Sequence, residues 1–111
     1  MRGTEYKLNN PTIENIRNLG FRYSTLLSTD EEKIYIYRFP VYKYKNKTVL
    51  ECELTVGFDT NNIIINVYNS HHEIYTPFYN VEYGNFEPIL DIVNKNINKE
   101  FKKLGVEMIR W

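Results

Sequence analysis

The stretch from Lys33 to Asn69 consists of three segments in which apolar and polar residues alternate, separated by short polar turns. In the middle segment, Leu50, Cys52 and Leu54 share one face, and the residues between them share the other. A period of two residues is typical of a β-strand with one buried and one solvated face. The pattern therefore predicts an antiparallel meander with one apolar face.

The register of the first two segments follows from the same alternation. A slip of one residue would turn the apolar face outward, so odd-numbered residues of the first segment must face even-numbered residues of the second. This parity means that the numbers of two paired residues add up to an odd number. A two-residue Lys45-Asn46 turn meets this condition, and so does a four-residue turn. Asn tolerates the positive φ of a tight hairpin. With the tight turn, the predicted pairs are Tyr37 with Leu54, Arg38 with Glu53, Phe39 with Cys52 and Val41 with Leu50.

Other alternating stretches extend this meander. A four-residue turn over 59–62 predicts that Phe58 pairs with Ile63, which places Glu53 next to Tyr68 on the outside. We expect 73–79 to form a fourth segment near an edge of the sheet. The residues 21–27 alternate as well, and whether they join the sheet stays open at the level of the sequence.

Two helices flank the meander in this interpretation. Asn10 is the expected N-cap of a short helix that begins at Pro11 and ends at Gly20. From Phe86 to Leu104, apolar residues recur with the spacing of an α-helix over nearly five turns, and Gly105 follows as a stop signal. The long helix is expected to cover the apolar face of the sheet.

The predicted fold class is α+β, with residues 1–111 forming a single domain. A four- or five-stranded antiparallel meander is flanked by a short N-terminal helix and by a long C-terminal helix packed on one face. A chain of 111 residues suits one hydrophobic core. No apolar run approaches the ~20 residues that cross a bilayer, and the N-terminal residues lack the apolar segment of a signal peptide. The single cysteine, Cys52, suits a reducing compartment, so we expect a cytoplasmic protein without membrane contact.

Charge is balanced in total but segregated along the chain. The 14 basic and 14 acidic residues cancel, yet 33–47 contains five basic and no acidic residues. The stretch 48–94 contains seven acidic residues and no Lys or Arg. In one interpretation, neighbouring strands of opposite charge attract each other across the sheet. In the other, a patch of acidic residues docks on a basic protein surface, and its members are Asp59, Glu73, Glu82, Glu87 and Asp91.

Basic and aromatic residues interleave over 33–47, which favours an alternative function as a single-stranded nucleic-acid-binding protein. The predicted pleat argues against it, because it turns Tyr35 and Tyr37 inward. It also leaves Glu51 and Glu53 on the exposed face, where carboxylates repel phosphates. Nucleic acid is therefore the weaker partner hypothesis.

No catalytic pattern stands out in the chain. His71 and His72 are adjacent, and neighbouring residues of an extended segment point to opposite faces, which disfavours a shared metal ion. Cys52 is expected to face the core without a nearby base. The sequence contains no glycine-rich phosphate loop and no nucleophile elbow. We therefore expect a protein that is not an enzyme and has no cofactor or metal.

The ten tyrosines exceed what a small core holds, so some are expected to serve as contact groups on the surface. One proposed protein-binding surface uses Tyr79 and Tyr83 as aromatic anchors, with Glu82 and Glu87 as an acidic rim. The alternative surface, which suits a homodimer contact equally well, consists of Tyr42, Tyr44 and Tyr68. The sequence does not decide which face binds, which oligomer forms or which partner is bound.

Three motifs carry a resemblance to a class of proteins. They are Asn18-Leu19-Gly20-Phe21 at the end of the first helix, Thr76-Pro77-Phe78-Tyr79-Asn80 after the tyrosine-rich meander, and Lys103-Leu104-Gly105-Val106 at the end of the last helix. The chain resembles small accessory proteins of phages and prophages in low-GC Gram-positive bacteria. This resemblance implies a stoichiometric inhibitor of host defence, similar to anti-CRISPR proteins, whose partner is a host protein such as a CRISPR effector or another defence nuclease.

Overall fold

The computed structural model describes residues 4–79 and 88–110. The elements follow in the order β1 (Thr4–Leu8), α1 (Ile13–Asn18), β2 (Arg22–Tyr23), β3 (Ile34–Tyr44), β4 (Lys47–Gly57), β5 (Asn62–Asn69), a short 3-10 helix (Thr76–Phe78), α2 (Pro88–Leu104) and β6 (Val106–Arg110). An antiparallel sheet has the order β2-β3-β4-β5, and β1 pairs with β6 in a separate two-stranded sheet. The predicted α+β class, with its antiparallel meander and long C-terminal helix, is confirmed.

The tight hairpin between β3 and β4 adopts the predicted register. Lys45 and Asn46 both have positive φ, at 50° and 65°, as a two-residue turn with the twist of the flanking strands requires. The cross-strand pairs Tyr37–Leu54, Arg38–Glu53 and Phe39–Cys52 form as expected. One face of the hairpin is therefore apolar, and the other carries charged residues.

An irregularity next to Pro40 changes the pairing locally, and the original register returns at Lys43 and Tyr44. Tyr42, and not Val41, pairs with Leu50, because Val41 on β3 and Val49 on β4 are both skipped in the ladder. Proline cannot donate to a ladder, which is the physical reason for an irregularity at this position. The predicted Val41–Leu50 pair was wrong, although Val41 is fully buried all the same.

The pairing of β4 with β5 is offset by two residues from the prediction. Val56 pairs with Ile63, so the expected Phe58–Ile63 pair was wrong. Glu51 is the direct partner of Tyr68, and Glu53 is near Tyr68 as a diagonal neighbour. The turn closes earlier than predicted, since Asn61 adopts a positive φ of 55° and Asn62 already pairs with Gly57. An offset of two residues preserves the parity, so the apolar face stays continuous.

Two of the predicted strands are shorter or absent. The segment 21–27 contributes only Arg22 and Tyr23 to the sheet. The segment 73–79 is not a strand: a single bridge joins Ile74 to Tyr68, and Pro77 then lies in the first turn of the 3-10 helix. Proline is tolerated at a helix start but removes a ladder donor, which explains why the chain leaves the sheet here.

The short helix differs from the prediction at its N-terminal end. Thr12, two residues after the predicted cap, caps α1 by accepting a hydrogen bond from the Asn15 N–H at 3.2 Å. The predicted N-cap at Asn10 was wrong, and its carbonyl instead accepts from the side-chain amide of Asn15. Gly20 ends the helical turn with a φ of 107°, as expected. The predicted start of the long helix at Phe86 lies outside the described residues.

The helix α2 covers the apolar face of the sheet and completes the core. It buries the residues that its spacing predicted, namely Leu90, Val93, Ile97, Phe101 and Leu104. All of these except Leu90 pack into one cluster with the inward residues of the sheet, among which Cys52, Leu54, Val56 and Val67 are fully buried. Gly105, with a φ of 74°, turns the chain out of the helix, and its carbonyl accepts from the Asn9 N–H at 2.9 Å.

The sheet of β1 and β6 was not predicted from the sequence. Each strand has five residues, and their alternation is weak because only Leu8 is fully buried in β1 and no residue is in β6. The side chain of Asn61 ties this sheet to the turn before β5, since it accepts from the Leu8 N–H and donates to the Leu8 carbonyl. A side-chain amide thus takes the place of a neighbouring strand.

The inward and outward sides of β4 can be tested by a pair of substitutions. Leu54 is fully buried, and Leu54→Ala is expected to reduce the free energy of unfolding by about 2 to 5 kcal/mol because a core cavity remains. Thr55→Ala, one residue further on the opposite face, is the control and should change it by less than about 1 kcal/mol. Chemical denaturation of both variants measures the difference, and equal losses would contradict the register.

Candidate outer-face site

The side of the four-stranded sheet opposite α2, called the outer face here, carries a regular array of residues. Cross-strand pairing aligns them in three rows that run from β2 or β3 to β5 or beyond. The rows are Arg22–Ile36–Thr55–Ile64, then Arg38–Glu53–Asn66, and then Pro40–Glu51–Tyr68–Ile74. No described helix packs on this face. Apolar side chains therefore border a polar middle row.

An ion pair occupies the middle row. The Arg38 Nε lies 2.9 Å from the Glu53 Oε2. The Glu53 side chain is largely buried, whereas the Arg38 side chain is half exposed. The pair leaves the centre of the face without net charge. Because a buried carboxylate without its partner is costly, the pair fixes the position of Arg38 on the surface.

Tyr68 lies at the β5 end of the third row. Its ring stacks on the ring of His72, with 4.3 Å between the centroids and an angle of 19° between the planes. Burial, and next the nearby Glu53 carboxylate, raise the pKa of the Tyr68 hydroxyl. His72 reaches this position because the preceding turn places it at a φ of 60°, and the Asn69 side chain accepts the His71 and Glu73 N–H groups.

Tyr79 closes the edge of β5 next to the middle row. Its hydroxyl accepts a hydrogen bond from the Val67 N–H and donates one to the Asn66 Oδ1, each at 3.0 Å. Burial is the main cause that raises the pKa of this hydroxyl. The ring is nevertheless 42 % exposed. Tyr79 is therefore both an edge cap for the sheet and a surface aromatic with a fixed orientation.

The structure regroups the residues that the sequence proposed as a binding surface. Tyr68 and Tyr79, taken from two different candidate surfaces, lie on neighbouring rows. Tyr42 pairs with the buried Leu50 and packs against the core, so the bulge separates it from Tyr68. Tyr44 is exposed near the hairpin tip, where the Lys45 Nζ lies 5.5 Å from its ring centroid. Glu82, Tyr83 and Glu87 lie outside the described residues.

The acidic residues do not assemble into one patch within the described part of the chain. Asp59 lies in the turn before β5 and accepts from the Lys33 N–H, whereas Glu73 follows the opposite end of β5. The eight residues of β5 separate them. Pairing across the sheet, as between Arg38 and Glu53, is the arrangement that the structure contains.

The strand 33–47 offers little for stacking nucleic-acid bases along its length. Tyr35 is buried, and the Tyr37 hydroxyl donates to the Glu100 carboxylate under α2. The prediction that both tyrosines turn inward is confirmed. Arg38 is engaged by Glu53, so apart from Lys33 the remaining exposed basic and aromatic residues of this stretch lie near the hairpin tip.

Among the described residues, no side chains are arranged as a catalytic site would require. Cys52 is fully buried, and burial together with the charges of Glu53 and Glu51 raises the pKa of its thiol to about 12. Such a thiol holds almost no thiolate near neutral pH. Within 4–79 and 88–110, no three His, Cys, Asp or Glu side chains are grouped as metal ligands would be. In the same ranges, no helix has the length and apolar character needed to span a membrane.

A groove of about 490 Å³ borders the outer face at its β2 edge. Arg22 and Arg38 line it together with Ile36 and the exposed Leu26. The sequence analysis missed this groove, because a two-residue strand with an irregular continuation has no pattern of its own. It gives the outer face a recess lined by two guanidinium groups.

Ile64 and Ile74 are apolar residues of this face that the sequence analysis did not single out. Ile64 is 60 % exposed, and Ile74 is 45 % exposed. A signal for Ile64 was present, since Ile63 and Ile65 both had to face the core and the residue between them had to face outward. For Ile74 no signal existed, because its place depends on one isolated bridge to Tyr68.

Comparison with known proteins supports the fold. No protein-family model and no curated protein matches the chain. Among solved structures, a DUF1831 family protein from Lactobacillus plantarum superposes with a TM-score of 0.57 at 8 % sequence identity, over 96 % of this chain and 88 % of that chain. At this identity the likeness concerns the fold alone.

Removal of one hydroxyl tests the edge cap at Tyr79. Tyr79→Phe leaves the buried Val67 N–H without its acceptor, so the free energy of unfolding should fall by about 1 to 3 kcal/mol. Tyr44→Phe removes the same atom from an exposed ring and should change it by less than about 0.5 kcal/mol. Denaturant titration compares the two variants, and an unchanged stability of Tyr79→Phe would contradict the capping role.

Proposed function

We propose that this chain is a non-catalytic protein-binding module that occupies a partner protein through its outer face. The observation that carries the proposal is the array of exposed apolar side chains around a neutral ion pair on this face. Ile64, Ile74 and Tyr79 are the exposed apolar members. Arg38 belongs to the middle row, between the rows of Ile64 and Ile74, and also lines the groove at β2. Aromatic residues and arginine are the groups that most often dominate the binding energy of protein interfaces.

Rigidity supports the same function. The Tyr79 hydroxyl is held by two hydrogen bonds, Arg38 by its carboxylate partner and Tyr68 by the stacked His72 ring. Side chains that are already ordered lose little conformational entropy when a partner binds. The groove between Arg22 and Arg38 suits a protruding carboxylate side chain of the partner, since a guanidinium group binds a carboxylate with two parallel hydrogen bonds.

The sequence resemblance to phage and prophage accessory proteins supports a narrower proposal. In it, the partner is a host defence protein such as a CRISPR effector or another defence nuclease, which the module inhibits by stoichiometric binding. Inhibition of this kind needs no active site in the inhibitor. It needs only a surface that covers a functional surface of the target.

A substitution at the centre of the exposed apolar row tests the binding face. Once capture from host cells yields a partner and the partner is purified, Ile64→Lys should weaken its affinity at least about tenfold, which corresponds to roughly 1.4 kcal/mol. Ile92→Lys on α2 is the matched control, because Ile92 is similarly exposed on the other side of the molecule. Isothermal titration calorimetry measures both dissociation constants. Equal affinities for Ile64→Lys and the wild type would rule out this face.

Stoichiometry separates a binding module from an enzyme. For a tight inhibitor, the concentration that abolishes the partner's activity should rise in proportion to the partner's concentration. An inhibitor that inactivates many partner molecules per chain would contradict the proposal. Sedimentation velocity of the isolated protein addresses the homodimer alternative, which predicts a dimer that Ile64→Lys dissociates.

A further inference from the structure

A second surface, on the other side of the molecule, consists of lysine and asparagine side chains. On the exposed side of α2, Lys95, Lys99 and Lys102 follow one another at helical spacing. Together with Asn94, Asn98 and Asp91 they line a shallow depression of about 520 Å³. Residues three and four apart lie on one side of a helix, so the three ammonium groups face the same direction.

The tip of the β3–β4 hairpin continues this surface. The last β4–β5 pair is Leu50–Asn69, so the hairpin extends beyond β5 as a two-stranded ribbon that carries Lys43, Lys45 and Lys47. Lys43 and Lys99 line one cavity of about 440 Å³ between the ribbon and α2. The Asn96 Nδ2 donates to the Val41 carbonyl at 2.8 Å and fixes the helix against the strand at this point. Within the ribbon, Lys43 pairs with Thr48 on one side, whereas Lys47 pairs with Tyr44 on the other. We call the six lysines of the ribbon and α2 the basic face, which therefore includes both sides of the ribbon.

The positive charge of the basic face is not neutralised by ion pairs within the described residues. The ion pairs found there involve Lys7, Arg38 and Lys103, and none of the six lysines. Glu100, the acidic residue beside Lys99, accepts from the Tyr37 hydroxyl and contacts Lys103 instead. A zero net charge therefore conceals six exposed lysines, none of which forms an ion pair with another residue in 4–79 or 88–110.

We propose that the basic face binds the phosphate backbone of nucleic acid without sequence preference. Lysine and asparagine side chains are common donors to phosphate oxygens. Tyr44 at the ribbon presents an exposed ring on which a base can stack. An acidic protein is the less suitable partner, because lysine is depleted in protein interfaces. Nucleic-acid interfaces are polar and strongly positive.

Fluorescence anisotropy with labelled oligo(dT) of about 20 nucleotides at roughly 50 mM NaCl tests the proposal. The triple variant Lys95→Gln, Lys99→Gln and Lys102→Gln should bind at least about tenfold more weakly. The slope of log affinity against log salt concentration should be less negative by roughly 2. Each lost phosphate contact reduces the magnitude of this slope by about 0.7 on a single strand. The ribbon variant Lys43→Gln, Lys45→Gln and Lys47→Gln should behave in the same way.

A charge-matched control distinguishes the basic face from bulk charge. Arg17→Gln, Lys33→Gln and Arg110→Gln also remove three exposed positive charges, but none lies on the basic face. This control should retain the wild-type affinity and salt slope, and thermal melting by circular dichroism should show that all variants are folded. The ribbon variant keeps the test valid if the α2 variant melts early, because its substitutions lie at an exposed tip.

Three results would overturn the proposal. They are the absence of wild-type binding at low salt, an equal loss of affinity in the control, and competition by polyglutamate as effective as that by unlabelled oligo(dT) at equal charge. The last would identify the face as a general polyanion surface suited to acidic proteins. Since the basic face and the outer face share no residue, the Ile64→Lys test stands or fails separately.

Discussion

The structure depends on the parity that the two-residue turn at Lys45 and Asn46 imposes on the β3–β4 hairpin. Both residues adopt positive φ, and the turn pairs odd-numbered residues of β3 with even-numbered residues of β4. Every inward side chain of the sheet, and hence the surface on which α2 packs, follows from this pairing. The outer face follows from it as well, because Arg38 meets Glu53 only in this register. A slip of one residue would bury the ion pair and expose the core.

Side chains form hydrogen bonds with backbone groups at the edges of the sheets. Some of these side chains also position the candidate site. Asn61 substitutes for a strand beside Leu8, Asn96 binds the carbonyl of the bulged Val41, and the Tyr79 hydroxyl accepts the Val67 N–H. Backbone groups at a sheet edge need such partners when water is excluded. At Tyr79 the same contact that satisfies the edge also holds an aromatic ring at the surface. Stability and recognition therefore share one residue there.

The two proposed surfaces differ in physical character. The outer face combines exposed isoleucine and tyrosine side chains with a neutral ion pair, which suits a protein partner. The basic face carries six lysines that form no ion pair within residues 4–79 and 88–110, which suits a phosphate backbone. A chain with no net charge is not thereby electrostatically uniform. The two surfaces share no residue, so the two proposals are independent of each other.

The alternation of apolar residues and the helical stripe of 86–104 were sufficient to predict the architecture, because each depends on neighbours along the chain. They also predicted that Tyr35 and Tyr37 turn inward and that Arg38 meets Glu53. Tertiary structure alone decided the bulge that moves Tyr42 to the core, the two-residue offset of β5, and the pairing of β1 with β6. It also decided the meeting of Tyr68 with Tyr79 and of Lys43 with Lys99. These outcomes depend on contacts between residues distant in sequence and on where a chain leaves the ladder, and a local periodicity carries no information about either.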